Sequence, residues 1–165
     1  MNFVELVNDL RVEAAASGRK VTSVQGDLVG ELERLRMWVR DAWTEIQNRQ
    51  RWLFLFVEST CPVPLNASIL NPSEYAAGEV AEWIASSFRI ADDGQPRFNS
   101  TELTYVDYPI WRDNEGFNLS TPGIPTAFTI HPNTEAIHLA PASNAPRELF
   151  YDYWRTPQVL TEDGD

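Results

Sequence analysis

LVGELERLRMWVRDAWTEIQNRQRWLFLF occupies residues 28–56 and changes its period part-way along. Leu28, Leu32, Leu35, Val39, Ala42 and Ile46 recur at steps of four and three, one apolar stripe at helical spacing. The pattern predicts a helix of about 25 residues, about 37 Å long. Asp27 is its expected N-cap, with Glu31 and Glu33 near the positive end of the dipole. From Arg51 the helical rhythm stops, and the apolar run Trp52–Val57 reads as an exit into a buried strand. One stretch therefore holds both a helix and the start of a sheet.

Side chains around the stripe divide by angle. Trp43 flanks it on one side and Trp38 on the other, so both are expected to be at least half buried. Arg36, Arg40 and Arg51 fall beyond Trp43, while Met37 points away from the stripe. Arg36 and Arg40 lie one turn apart and repel, an effect that Glu33 partly relieves. A solvated charged face accounts for this arrangement. So does an interface in which Arg36, Met37, Trp38, Arg40, Trp43 and Arg51 meet carboxylates of a neighbouring chain, since Arg and Trp are common anchors.

Upstream, Asn2 and Glu5 form a capping-box pattern, and Phe3, Leu6, Val7, Leu10 and Ala14 give a first amphipathic helix that Gly18 stops. GRKVTSVQG (18–26) is a polar connector. Downstream, CPVPLN (61–66) is expected to turn, because Pro62 and Pro64 suit neither helix nor central strand. Pro72 is placed to open a short helical turn. Short segments follow: WIASSFRI (83–90), TELTYVDY (101–108), then a loop over 112–125. TAFTIHPNTEAIHLAP (126–141) is a hairpin turning at HPNT, and the alternation in RELFYDYW (147–154) predicts an edge or half-buried strand. The fold class is α+β: an N-terminal antiparallel helix pair over 1–51, then a small, mainly antiparallel β-sheet or sandwich over 52–165, together one structural unit.

Charge is distributed unevenly. Of 165 residues and a net charge of −11, residues 1–51 hold eight basic and eight acidic side chains, and residues 52–165 hold five basic and sixteen acidic. The second part repels phosphate, so tight nucleic-acid binding is not expected. No apolar run approaches the ~18–20 residues of a membrane span, and the N-terminus lacks a signal-peptide pattern, so a cytoplasmic site of synthesis is expected. Cys61 is the sole cysteine, which precludes an intrachain disulfide.

The residues that carry chemistry do not converge on a reaction. His131 and His138 face each other across the predicted hairpin without further ligands at metal spacing. Cys61 has no histidine nearby in sequence to activate it. Asp107, Asp113 and Glu115 contain a conceivable glycosidase pair, and Trp83, Trp111 and Trp154 a conceivable sugar platform, but core packing explains the tryptophans equally well. A metal site is not expected from these residues.

Four stretches, taken in order, resemble the head-to-tail adaptor (connector) proteins of tailed bacteriophages: GELERLRMWVRDAWTEIQNRQRWLFLF, WIASSFRI, LTYVDYPIWRD, and the segment from GIPTAFTIHPNTEAIHLAP through RELFYDYWRTPQVL. The resemblance implies a structural virion protein, with no catalytic residue and no cofactor. It would form a ring, usually twelvefold, beneath the portal protein, with a downstream tail or nozzle protein docked on it. DNA would pass through without specific binding, and no membrane would be involved. Assembly would take place in the host cytoplasm and the protein would end in the virion neck. Asp92, Asp93, Asp107, Asp113, Glu115 and Glu135 are then candidates to line the channel. Chains of this kind commonly continue into further helices after the Gln-x-Leu stretch. With the sequence ending at Asp165, either the chain is longer or another subunit or the portal completes the helical layer. A carbohydrate-binding or other tail or baseplate interaction module is the alternative.

Overall fold

The computed structural model describes residues 2–25, 28, 30–71, 80–114 and 121–161. The chain forms two compact units, Met1–Leu53 with Pro157–Asp165, and Phe54–Thr156.

The first unit is helical. Helix α1 (Phe3–Glu13) opens as the capping box predicts: Glu5 N donates to Asn2 Oδ1 and Asn2 N to Glu5 Oε2, each at 2.9 Å. It ends at Glu13, short of the expected stop at Gly18. Ala16 N donates to Arg11 O (3.0 Å) and Ala15 N to Val12 O (3.1 Å), the two bonds of a Schellman motif, with Ala15 in the left-handed region at φ 48°. An alanine has taken the position where glycine is usual, so the sequence carries no stop signal there.

Helix α2 (Glu31–Arg49) has 19 residues and Gly30 as its N-cap, at φ 67°. It is shorter than predicted, and the expected cap Asp27 lies outside the described residues. Leu28 precedes the helix but still packs with Leu32, Val39 and Trp43 around a core of Phe3, Val7, Val21, Val24, Leu35 and Leu160. Each such aliphatic side chain, fully buried, contributes about 1.5–3 kcal/mol. Asn8 occupies this apolar setting because it acts as backbone does in a ladder. Its Nδ2 donates to Val4 O (2.8 Å) and Val21 O (2.9 Å), and its Oδ1 accepts from Val21 N (2.8 Å), fastening the connector to α1. Gln47, also buried, does the same for the C-terminal segment: Nε2 donates to Gln158 O (2.9 Å) and Oε1 accepts from Gln158 N (3.0 Å).

The second unit carries two sheets. One has strand order β1 (Phe56–Val63), β9 (Arg147–Arg155), β4 (Arg89–Asp92), β5 (Thr101–Glu102), with β3 (Val80–Trp83) also on β9. The other runs β2 (Ile69–Leu70), β8 (Ile137–Ala140), β7 (Ala127–Ile130), β6 (Thr104–Tyr105). Among the described residues all strand pairs are antiparallel except β6 with β7, so the α+β expectation with a mainly antiparallel sheet holds. Between the sheets lie Phe88, Phe128 and Tyr151, with Phe88 and Phe128 stacked at 4.1 Å.

Four expectations about this unit change. β9 is the spine of its sheet, not an edge: β1 pairs along one side, β4 and β3 share the other, and six of its nine residues, drawn from both faces, are buried. CPV is strand, not turn. β1 has only β9 as partner among the described residues, and an edge strand tolerates Pro62, which has no N–H to offer. Residues 101–108 are not one strand but two short ones in different sheets, divided at buried Leu103. A helix follows, α3 (Tyr108–Asp113), which starts with Pro109 in its first turn, where proline is favoured. The predicted β7–β8 hairpin is present, with Asn133 N and Thr134 N both donating to His131 Nδ1 at 3.2 Å. The helical turn expected at Pro72 lies outside the described residues.

Candidate functional site

The six candidate interface residues of the helical unit separate into two groups. Arg36, Arg40 and Trp43 turn toward the unit's own structure. Arg36 Nη1 donates to Val24 O (2.8 Å) and its Nη2 meets Glu33 Oε1 at 2.6 Å, so this arginine ties the connector to α2. Arg40 has a looser contact, with Nε 3.6 Å from Asp41 Oδ1. Both guanidinium groups border a cleft of about 170 Å³ whose other walls are Phe3, Val24, Leu160 and Thr161. Trp43 is half-buried against the core.

Met37, Trp38 and Arg51 are exposed. For Trp38 this corrects the expectation of half burial, since 58% of its surface is open. The cause is length and side. α1, with 11 residues, and the connector cover the Trp43 flank of a 19-residue helix and leave the Trp38 flank bare. The apolar stripe behaves likewise: Leu32, Leu35 and Val39 are covered, but Ala42 is exposed and Ile46 is 45% open.

The candidate acids occupy several places in the sheet unit. Asp92 ends β4 and forms an ion pair with Arg147, its cross-strand neighbour. Asp93 follows it in an exposed turn. Asp107 precedes α3, and Asp113 at its end bonds Arg112 at 2.8 Å, which holds the Asp113 carboxyl below the usual range. Glu135 sits in the β7–β8 turn at φ 59°. Glu115 lies outside the described residues.

Among the described residues no group of three or more His, Cys, Asp or Glu can hold a metal. His131 and His138 stack at 5.9 Å, with Tyr108 edge-on to His131 at 4.5 Å. Burial, then the neighbouring His131, pushes the His138 pKa down, so His138 favours the neutral form. Cys61 is buried. Trp111 is buried and Trp83 is ringed by Phe88, Tyr151 and Tyr153 at 5.6–5.8 Å, so neither offers an open face to a sugar. No helix is long and apolar enough to cross a membrane, among the described residues.

One charged cluster escaped the sequence reading. Arg97 grips both carboxylate oxygens of Asp152 at 2.6 Å, and Asp152 is nearly buried although it faces Glu58 across the β1–β9 ladder. The hydrogen bond to Asp152 raises the Arg97 pKa, against the opposing effect of burial. Arg97 and Asp152 are 55 positions apart in sequence, and no local pattern announces their meeting.

A family model for the SU10 adaptor protein matches residues 1–165. The chain belongs to this family of phage head-to-tail adaptors. No curated protein matches it. As an SU10-type adaptor it is a structural phage protein, and an adaptor's work is contact with other virion components. The surfaces to weigh are therefore those that can meet another chain: the Trp38 side of α2, the Arg36–Arg40 cleft, and the acids of the sheet unit.

Proposed function

We propose that the chain assembles as a ring beneath the portal, joins the DNA-filled head to the tail, and leaves a channel for DNA. The observation that carries this reading is the bare flank of α2. Trp38 stands exposed on the flank that α1 leaves open, Met37 faces away from the core, and Ile46, in line with the buried stripe, is left uncovered further along the helix. Large apolar side chains left uncovered along one helix are what an interface leaves visible in a lone subunit. In a closed ring each copy covers the next through a heterologous contact, which accounts for a face that the chain does not cover itself. The portal and a downstream tail protein are the further partners of this reading.

Asp93, Asp107 and Glu135 support a second element of it. Exposed acids facing a channel deny passing DNA the counterion release that makes protein–DNA contacts sticky. No enzymatic step is part of the proposal.

The test is mass determination in solution by sedimentation, alone and after mixing with portal rings. Arg40→Glu and Trp38→Ser are expected to reduce assembly or portal attachment while circular dichroism stays unchanged. Full assembly by both variants, with the fold intact, contradicts the interface.

A further inference from the structure

The most exposed aromatic side chain described in the sheet unit is Phe98, at 83%. A lone exposed phenylalanine is ordinarily unremarkable. The setting of Phe98 is not ordinary, because the loop that carries it is fastened from within. Gln95 N donates to Asp92 O (3.0 Å), Asn99 N to Pro96 O (2.9 Å) and Asn99 Nδ2 to Gln95 Oε1 (3.1 Å). Arg89 reaches across to Ser100 through Oγ (2.9 Å) and the carbonyl (3.0 Å). Arg97, next to Phe98, is locked to Asp152 through two bonds of 2.6 Å. The turn is thus held with Arg97 pinned inward and Phe98 outward, and Asp93 exposed at its other end. Holding an apolar side chain in water on a preorganised loop lowers the ordering cost of inserting it elsewhere.

The helical unit has a matching receptacle. The cleft bordered by Arg36 and Arg40 has a wall of Phe3, Val24 and Leu160, and its 170 Å³ admits one side chain. That is below the roughly 300 Å³ where small-molecule sites begin. Its rim carries two guanidinium groups, Arg36 already paired with Glu33 and Arg40 held only loosely by Asp41, while the sheet unit carries most of the chain's acids. A guanidinium over a phenyl face attracts it, and a carboxylate beside the ring pairs with the second cation.

We infer that the Asp93–Phe98 loop of one copy docks in the Arg36–Arg40 cleft of the next, Phe98 seated on the apolar wall and Asp93 against Arg40. The occupant is a second copy of this chain, and the contact is head-to-tail, as ring closure requires. The inference rests on the ring reading above and names its contact.

Two full-length variants that keep both anchors, Asn99→Cys beside Phe98 and Thr161→Cys on the cleft wall, are mixed under mild oxidation with oxidised glutathione. Buried Cys61 is a poor competitor. A mixed disulfide linking the two differently mass-tagged chains is expected, and Phe98→Ser is expected to weaken self-association about tenfold or more with the fold unchanged. Absence of the mixed species, in free protein and on portal rings alike, overturns the contact. If rings still form on the portal in that case, the adaptor reading survives without it. If the wild-type chain neither self-associates nor binds portal, both fall.

Discussion

Removing Arg97 tests whether the loop and β9 are held together as the geometry indicates. Arg97→Met leaves the Asp152 carboxylate, only 10% exposed, facing Glu58 with no cation to offset it. Orphaning one member of a buried pair costs about 3–5 kcal/mol, and partial exposure of Arg97 at 34% moves the expectation to about 3 kcal/mol. Asp152→Leu removes the buried carboxylate and leaves a guanidinium that water can reach, so about 1–2 kcal/mol is expected. The double variant leaves no orphaned charge and should lose less than the sum of the two, a coupling of about 2 kcal/mol. Urea unfolding followed by near-ultraviolet circular dichroism, which reports the aromatic core of the sheet unit, gives the three midpoints. The asymmetry between the single variants and the recovery in the double one are the signature. Strict additivity, or a larger loss from Asp152→Leu than from Arg97→Met, refutes the view of this pair as a mutually neutralising clamp.

Other expectations follow from single contacts. Ala15→Gly should stabilise the helical unit by about 0.5 kcal/mol, because glycine relieves the left-handed strain at φ 48° but adds backbone entropy to the unfolded chain; Ala14→Gly, at φ −80°, should destabilise it, and urea midpoints compare the two. Gln47→Ala removes both bonds to Gln158 and should expose residues around Leu160 to faster amide hydrogen exchange, with sheet-unit exchange unaltered. His138, its pKa lowered in the fold, contributes stability that is complete above about pH 6.5 and is lost as pH falls through the folded value. His138→Gln should flatten that acid limb in thermal unfolding between neutral and mildly acid pH. Phe88→Ala empties a site with no exposure, stacked on Phe128, and should cost about 3–5 kcal/mol in the same urea assay.

Local chemistry was enough for much of this molecule. The capping box of Asn2 and Glu5, the helix through Leu32, Leu35 and Val39, and the hairpin turning at His131 depend on residues a few positions apart, so the sequence carries their physics in full. The two-part layout, helices first and sheet second, follows from where the apolar period changes near Arg51. Which side of α2 is covered could not be read there. Trp38 and Trp43 flank the stripe symmetrically in sequence, and only the placement of α1 and of Leu160 buries one and bares the other. The central place of β9 is hidden for the same reason: alternation reports one buried face, whereas that place comes from partners up to 98 positions away, as Phe56 pairs with Trp154. The Arg97–Asp152 clamp and the cleft between Arg36 and Arg40 likewise join distant segments. Periodicity and capping are short-range properties written in neighbouring residues, whereas exposure and ion pairing are settled only when remote parts of the chain compete for the same space.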